Sequence, residues 1–208
     1  MRLAITADLH GTLPNMPDCD IVIVAGDVCP GPAHVNGKWR PDLSDGRSCD
    51  WLRKEFAEWA SKHKHTIVVA GNHDTAIQQY GFPSLSRVTY LEDSGVTIDG
   101  LFIWGTPWVR RWDNLAFNAD AEDRWKRARL IPRDIDLLVC HSPPRGIRDQ
   151  INLTSEHLGC EFIETTLREK KTPRVIACGH IHEAAGLTMT RYGTLVVNAA
   201  QRVFEIEV

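Results

Sequence analysis

The feature that most limits the fold of this sequence is a series of short apolar runs, each closed by glycine or by a polar cluster. Several runs are nearly continuous and rich in β-branched residues, as is typical of strands buried on both faces. The runs span residues 2–7, 20–26, 65–71, 96–105, 135–141, 174–180, 186–190, 194–200 and 202–208. The sequence therefore predicts a chain with many buried strands.

Two segments between these runs, 48–63 and 155–171, show helical periodicity instead. Their apolar positions are Trp51, Leu52, Phe56 and Trp59 in the first segment and Leu158, Phe162, Ile163 and Leu167 in the second. We expect Thr154 or Ser155 to cap the second helix and Pro173 to mark its end.

The early part of the chain mixes strands and a helix, and the later part is rich in strands joined by turns at Asp99–Gly100 and 192–193. This order predicts an α/β fold, a four-layer α/β/β/α sandwich of two mixed sheets flanked by helices. The length of 208 residues is that of one domain, so we expect residues 1–208 to form a single unit. Residues 30–47 are polar and are predicted to form a long loop.

Composition excludes several classes of protein. The net charge of −3 provides no long-range attraction to nucleic acid, so we expect no extended nucleic-acid partner. The six cysteines contain no C-x-x-C pair, which argues against a zinc ribbon or a redox dithiol. The N-terminus lacks the pattern of a signal peptide, and no apolar run has membrane-spanning length. We therefore expect a cytoplasmic protein with reduced thiols and no membrane partner.

Potential metal ligands follow five of the predicted strands directly. They are Asp8 and His10, then Asp27, then Asn72 and His73, then His141, and finally His180 and His182. The carboxyl ends of strands in an open α/β sheet share one edge, where ligands bind. One such residue alone is better explained as a turn former, but five strand ends together predict a common site.

The residue types indicate the kind of metal site. Carboxylate, amide and imidazole groups without a thiolate suit Mn, Fe, Zn or Ni and fit neither Ca nor structural zinc. Seven protein ligands are too many for one ion, whereas two ions about 3.5–4 Å apart, bridged by a carboxylate, would use them all.

The ordered motifs D-x-H, G-D, G-N-H-D, a lone strand-end H and G-H-x-H, over residues 8–182, resemble the calcineurin-like metallophosphoesterase superfamily. The stretches YLEDSGVTIDG, CHSPPRGIRD and GHIHEAAG also resemble small metallophosphoesterase-domain proteins of the cyclic-nucleotide phosphodiesterase type.

The resemblance implies a role for each motif residue. Asp8, His10 and His182 would hold the first metal, Asn72, His141 and His180 the second, and Asp27 would bridge them. A hydroxide between the metals would attack phosphorus, and His73 would protonate the leaving group or donate to a phosphoryl oxygen. We expect two transition-metal ions, manganese in first place and iron or zinc as alternatives. If the chain stays extended after Gly179, His180 and His182 face one edge while Ile181 packs on the other side.

One position departs from the superfamily pattern. Many protein phosphatases of the superfamily carry a second aspartate and an arginine after the G-D motif, but Pro30 stands here at the aspartate position and no arginine follows. Proline cannot orient His73, and the adjacent Asp74 is a weak candidate for that role. Without the arginine, no planar guanidinium is available at this place to bind a phosphate dianion, which favours a phosphodiester substrate.

Residues outside the motifs are candidates for substrate binding. Trp108 and Arg110 lie in the tryptophan-rich segment 104–114, where they would stack a base and hold a phosphate. Arg145 follows His141 closely enough to reach substrate. More often, tryptophans in such a segment are partly buried packing residues and the arginines form a solvated rim, and Asp149 is expected only to anchor its loop.

These observations predict a dinuclear metal-dependent phosphodiesterase acting on a small nucleotide, cyclic nucleotides included. One alternative is a phosphomonoesterase, protein phosphatase or nuclease of the same superfamily. Another is a scaffold or binding module of the same fold, in which ligand positions are typically eroded. All ligand positions are intact here.

Overall fold

The computed structural model describes residues 1–31, 33–35, 38–111, 114–152, 154–169 and 173–208. The strands are β1 (Arg2–Thr6), β2 (Ile21–Ala25), β3 (Ala33–Val35), β4 (Lys38–Arg40), β5 (Thr66–Val69), β6 (Val88–Tyr90), β7 (Ser94–Ile98), β8 (Leu101–Thr106), β9 (Val109–Arg110), β10 (Asn118–Ala119), β11 (Leu137–Cys140), β12 (Val175–Cys178), β13 (Gly186–Met189), β14 (Leu195–Asn198) and β15 (Val203–Glu207). The helices are α1 (Pro41–Trp51), α2 (Ala57–Ser61), α3 (Thr75–Tyr80), α4 (Ala121–Ala128) and α5 (Glu161–Glu169). A π-helical stretch, Leu52–Phe56, joins α1 to α2.

Most strands belong to two large mixed sheets. The first has the order β15-β1-β2-β5-β6, with β15 antiparallel to β1 and the other neighbours parallel. The second has the order β13-β14-β12-β11-β8-β7, with both edge strands antiparallel to their neighbours and the middle strands parallel. The parallel strands bring the ends of β1, β2, β5, β11 and β12 together.

The two sheets pack face to face, and helices cover their outer faces. Leu3 and Ile5 of the first sheet share the central core with Val139 and Val197 of the second. The intervening residue Ala4 instead joins a cluster beneath α2 and the π-helical stretch. A third cluster lies between the second sheet and α4 and α5. Both faces of each sheet are thus buried, which explains the nearly continuous apolar runs and confirms the four-layer sandwich.

The predicted run 96–105 is a hairpin rather than one strand. β7 turns into β8 at Asp99 and Gly100, whose φ angles are 49° and 84°. Positive φ at both central residues is the geometry of a tight hairpin turn that Asp-Gly favours, so the predicted turn is confirmed.

Both predicted helices have different boundaries in the structure. The first helical region already begins at Pro41, within the predicted loop 30–47, and proline suits a first helical position. Parts of that loop lie outside the described residues. The second helix begins at Glu161, so the expected cap at Thr154 or Ser155 is wrong. The preceding chain instead folds back on itself through bridges between Pro144 and Cys160 and between Gln150 and His157.

Candidate metal centre

Asp8 is buried at the end of β1 and faces the last motif of the chain. The backbone N–H of His180 donates to both carboxylate oxygens of Asp8, at 3.2 and 2.9 Å. The Nε2 atom of His182 lies 3.0 Å from one of those oxygens. The first and last motifs, 172 residues apart at the Asp8–His180 contact, therefore meet around one carboxylate.

Asp27 is the most central residue of the site. Its carboxylate accepts the backbone N–H of His73 at 2.7 Å. The Nε2 atoms of His141 and His10 lie 3.4 and 3.9 Å from its other oxygen. Motifs from four strand ends converge on this buried group, as expected for a bridging carboxylate.

His141 is fully buried and held in a fixed orientation. Its Nδ1 atom donates to the carbonyl of Ala25 at 2.9 Å, and its Nε2 atom lies 3.0 Å from Oδ1 of Asn72. A histidine fixed through Nδ1 presents Nε2 as the ligand atom. A Cβ at Gly26 or Gly71 would collide with this ring, so both glycines are required for the close approach.

The backbone is strained at four of the expected ligands. Asp8, His10, Asp27 and His180 have φ angles of 56°, 44°, 51° and 69°, in the left-handed region that costs a non-glycine residue about 1–3 kcal/mol. Two hydrogen bonds of 2.9 Å, from Asp8 N to Gly26 O and from His10 N to Asp27 O, hold two of these turns. Strain at so many polar strand ends is typical of a functional site.

His180 departs from the extended conformation that we expected after Gly179. Its backbone is left-handed and a 3-10 turn over His182–Ala184 follows, so the chain changes direction after β12. Ile181 is nevertheless buried, while both histidines face the site. Asn198, at the end of β14, holds the turn by donating to the carbonyl of Ile181 at 2.9 Å. Sequence reasoning missed Asn198, although it follows an apolar run as the ligands do.

The charged groups of the site shift one another's pKa values. Burial lowers the pKa of His141, but the charge of Asp27 and its contact outweigh burial and raise that pKa to about 10. Burial likewise opposes the charged form of Asp27, yet His141 holds its pKa below the usual range. Burial and the charge of His141 lower the pKa of His180 to about 4. In the absence of metal, the carboxylate charge of Asp27 thus favours the protonated form of His141.

The donor atoms fit metal ions. Ligand atoms of Asp8, His10 and His182 lie within 4.8 Å of one another, and so do those of Asp8, Asp27 and His141. The first group equals the set expected for the first metal. The second group contains Asp27, which is the expected bridge, and His141, which is an expected ligand of the second metal. The side chain of Asn72 lies next to this group, 3.0 Å from Nε2 of His141. A convergent oxygen and nitrogen set of this kind suits a first-row transition metal.

His73 lies at the rim of this centre. Its ring centroid is 5.2 Å from that of His10. Asp74 is turned away from it, since its buried carboxylate accepts the backbone N–H groups of Gly71, Val28 and Cys29 at 2.8, 3.1 and 2.8 Å. Asp74 therefore fastens the G-D loop to the G-N-H-D loop and does not orient His73. Among the described residues, no carboxylate is hydrogen-bonded to the His73 ring.

A groove of about 250 Å³, which we call the Arg110 groove, borders the expected second-metal ligands. Arg110 lies there beside Asn72 and His180, and it is exposed. Sequence reasoning missed the other walls, which are Val109, Leu115, Asn118, Ile151, Leu158, Ile181 and Glu183. Apolar residues of irregular loops carry no pattern from which a groove can be predicted.

Trp108 and Arg145 occupy different surroundings. The indole N–H of Trp108 donates to Asp93 at 2.9 Å, and the guanidinium of Arg127 lies 3.4 Å above its ring. One face of the indole is therefore already covered. Arg145 is exposed, and its backbone N–H donates to Cys160. Binding of substrate by either residue stays a prediction.

Comparisons with known proteins agree with this geometry. Residues 1–184 match the family described as Calcineurin-like phosphoesterase. Metallophosphoesterase domain-containing protein 1 of Homo sapiens is 31% identical over 176 residues, which cover 71% of this chain and 54% of that protein. A UPF0046 protein of Caenorhabditis elegans is 30% identical, with 97% of this chain and 70% of that protein covered. The chain thus spans about half the length of the human relative.

A solved structure supports the fold independently. It aligns with a TM-score of 0.66 at 15% identity and covers 96% of this chain and 90% of that one. Within the described residues, no helix is long and apolar enough to cross a membrane. Members of the matched family generally use a dinuclear divalent metal centre. The ordered motifs, their convergence and the match over residues 1–184 establish that this chain belongs to the calcineurin-like phosphoesterase family.

Proposed function

We propose that this chain is a dinuclear metal-dependent phosphoesterase that hydrolyses phosphodiesters of small nucleotides, with manganese as the preferred metal. The observation that carries the proposal is the convergence of two buried aspartates and several histidines, with every ligand position of the family pattern intact. Asp8, His10 and His182 would hold one ion, Asn72, His141 and His180 the other, and Asp27 both. Two bound dications supply an acidic water as nucleophile and neutralise phosphoryl charge.

The remaining residues would position substrate and move a proton. His73 is partly exposed beside His10 and would donate a proton to the leaving oxygen. Arg110 lines the same groove as Asn72 and His180 and would hold the phosphoryl or nucleotide end of the substrate.

Pro30 supports a diester over a monoester dianion. It occupies the position of the phosphatase aspartate and packs against Gly11, where a Cβ would come within 2.9 Å of its Cα. Neither an orienting carboxylate nor a guanidinium fork for a dianion is provided at this position. A phosphodiester carries one charge fewer and depends less on such a fork.

A substrate screen in manganese buffer tests the proposal. We expect hydrolysis of bis-p-nitrophenyl phosphate, of cyclic nucleotides or of both, at rates well above those for p-nitrophenyl phosphate. His73→Ala should lower kcat by about 100-fold or more, the usual contribution of a general acid. His65→Ala, at an exposed position after α2, is the matched control and should have no effect. Hydrolysis of monoesters alone would disprove the diesterase.

A further inference from the structure

A second depression borders the metal centre on the side of the first-metal ligands. This Thr12 cavity, of about 330 Å³, is lined by residues that include Asp8, His10, Thr12, Pro14 and Arg202. It shares no lining residue with the Arg110 groove, whose lining includes Asn72 and His180. The metal centre therefore lies between two separate recesses.

The walls of the Thr12 cavity are fixed by hydrogen bonds. The N–H of Thr12 donates to Leu9 at 2.7 Å, and the N–H of Gln201 donates to Ala7 at 3.0 Å. The indole N–H of Trp59 donates to the carbonyl of Pro14 at 2.8 Å. A recess formed in this way does not need to be ordered by its ligand, which favours binding.

The chemistry of the Thr12 cavity differs from that of the metal centre beside it. Its lining is mainly apolar, with Leu9 and Val203 among the contributors. Arg202 is exposed at the wall, and within the described residues no carboxylate forms an ion pair with it. A guanidinium beside an apolar surface stacks readily on an aromatic ring. The cavity thus suits an uncharged aromatic or branched aliphatic group.

A phosphomonoester has one organic arm, and a cyclic nucleotide carries both ester bonds on one sugar. Neither would fill two recesses on different sides of the phosphoryl position. We infer that the substrate is an acyclic phosphodiester, with one arm in the Arg110 groove and an apolar, preferably aromatic, second arm in the Thr12 cavity. This inference rests on the proposed function and narrows it to one class of diester.

Phosphinates test the inference apart from catalysis, because they carry the single charge of a diester and no bond that the enzyme hydrolyses. Calorimetry on the metal-loaded protein would compare diphenylphosphinate, which has two aromatic arms, with methyl(phenyl)phosphinate, which has one. We expect the two-armed ligand to bind about 10-fold tighter or more in the wild type, since one further ring is buried.

Three exposed positions provide the variants. Thr12→Trp fills the cavity and should reduce the preference to about twofold or less. Asn15→Trp, on a neighbouring surface outside the cavity, is the matched control and should keep the full preference. Arg202→Ala should reduce the preference about threefold through loss of stacking.

The outcomes separate the two proposals. Equal binding of both phosphinates by the wild type, no binding of either, or an unchanged preference in Thr12→Trp would overturn the two-armed substrate. Absence of diester hydrolysis with a normal phosphinate preference would instead overturn the proposed diesterase.

Discussion

The metal centre and the loop around Asp149 both contain a fully buried aspartate beside a histidine, yet they differ in what the carboxylate contacts. Asp149 accepts the N–H groups of Gly146 and Gly159 at 3.0 and 2.9 Å and the Nδ1 atom of His157 at 2.6 Å. Its oxygens are engaged by the loop itself. Among the described residues, Asp27 has a single backbone donor, and the imidazoles around it converge from other strands. A buried aspartate–histidine pair therefore indicates a metal site only where oxygen lone pairs remain for the metal.

The largest effect is expected from Asp27→Asn. The amide cannot bridge two cations as a carboxylate does, so metal content should fall from two ions to one or none per chain. Activity should fall about 1,000-fold or more, because several kcal/mol of transition-state stabilisation is lost. Elemental analysis and steady-state kinetics measure both changes. The matched variant Asp134→Asn, at an exposed loop position, should change neither, and full activity in Asp27→Asn would refute the bridging role.

In contrast to Asp27→Asn, Asp149→Ala should lower the stability of the fold without changing the metal content. It leaves two backbone N–H groups without their acceptor, so we expect a loss of about 2–4 kcal/mol in the free energy of unfolding. Urea unfolding measures this loss, with Asp134→Ala as the control. Metal content should stay at two ions per chain. Loss of both metals without loss of stability would show that the two aspartates do not differ as described.

The two histidines of the last motif should divide between the ions. His182 contacts Asp8, whereas the ring centroid of His180 lies 5.0 Å from that of His141. His182→Ala should therefore weaken the first ion and His180→Ala the second, each by roughly 100-fold, with one ion retained. Competition titrations with a metal-binding dye would measure both affinities. Identical metal loss in both variants would contradict this division.

Metal uptake should release a proton from His141. In the metal-free protein the pKa of His141 is raised to about 10, so this histidine is protonated at pH 7 and must lose its proton to bind a metal. His180, with a pKa lowered to about 4, is already neutral and releases none. Metal affinity should therefore rise with pH between 7 and 9, by up to about 10-fold per pH unit. Calorimetry in buffers of different ionisation enthalpy counts the proton, and a buffer-independent heat would contradict the prediction.

Much of the fold and of the candidate metal site is predictable from the sequence because both depend on strands. A strand buried on both faces is visible as an apolar run, and the residue after it necessarily lies at the sheet edge, as Asp8 and His141 do. The helix after residue 155 was misplaced because the Asp149 anchor overrides its helical periodicity. Such an anchor joins residues that no local pattern relates.

The short elements and the walls of the recesses were not predictable in this way. Asp120 caps α4, since its side chain accepts the N–H of Asp123 at 3.0 Å, and this cap is a weak local signal for a short, mostly polar helix. The Thr12 cavity combines residues 6–14 with residues 201–203. Its existence depends on the pairing of β1 with β15, a contact between the two ends of the described chain.

The central claim is that two metal ions share Asp27. Anomalous X-ray scattering from crystals of the manganese-loaded protein tests it most directly. The account predicts two peaks about 3.5–4 Å apart, with the Asp27 carboxylate between them, His182 beside one and His180 beside the other. A single peak, or peaks that do not contact Asp27, would contradict it.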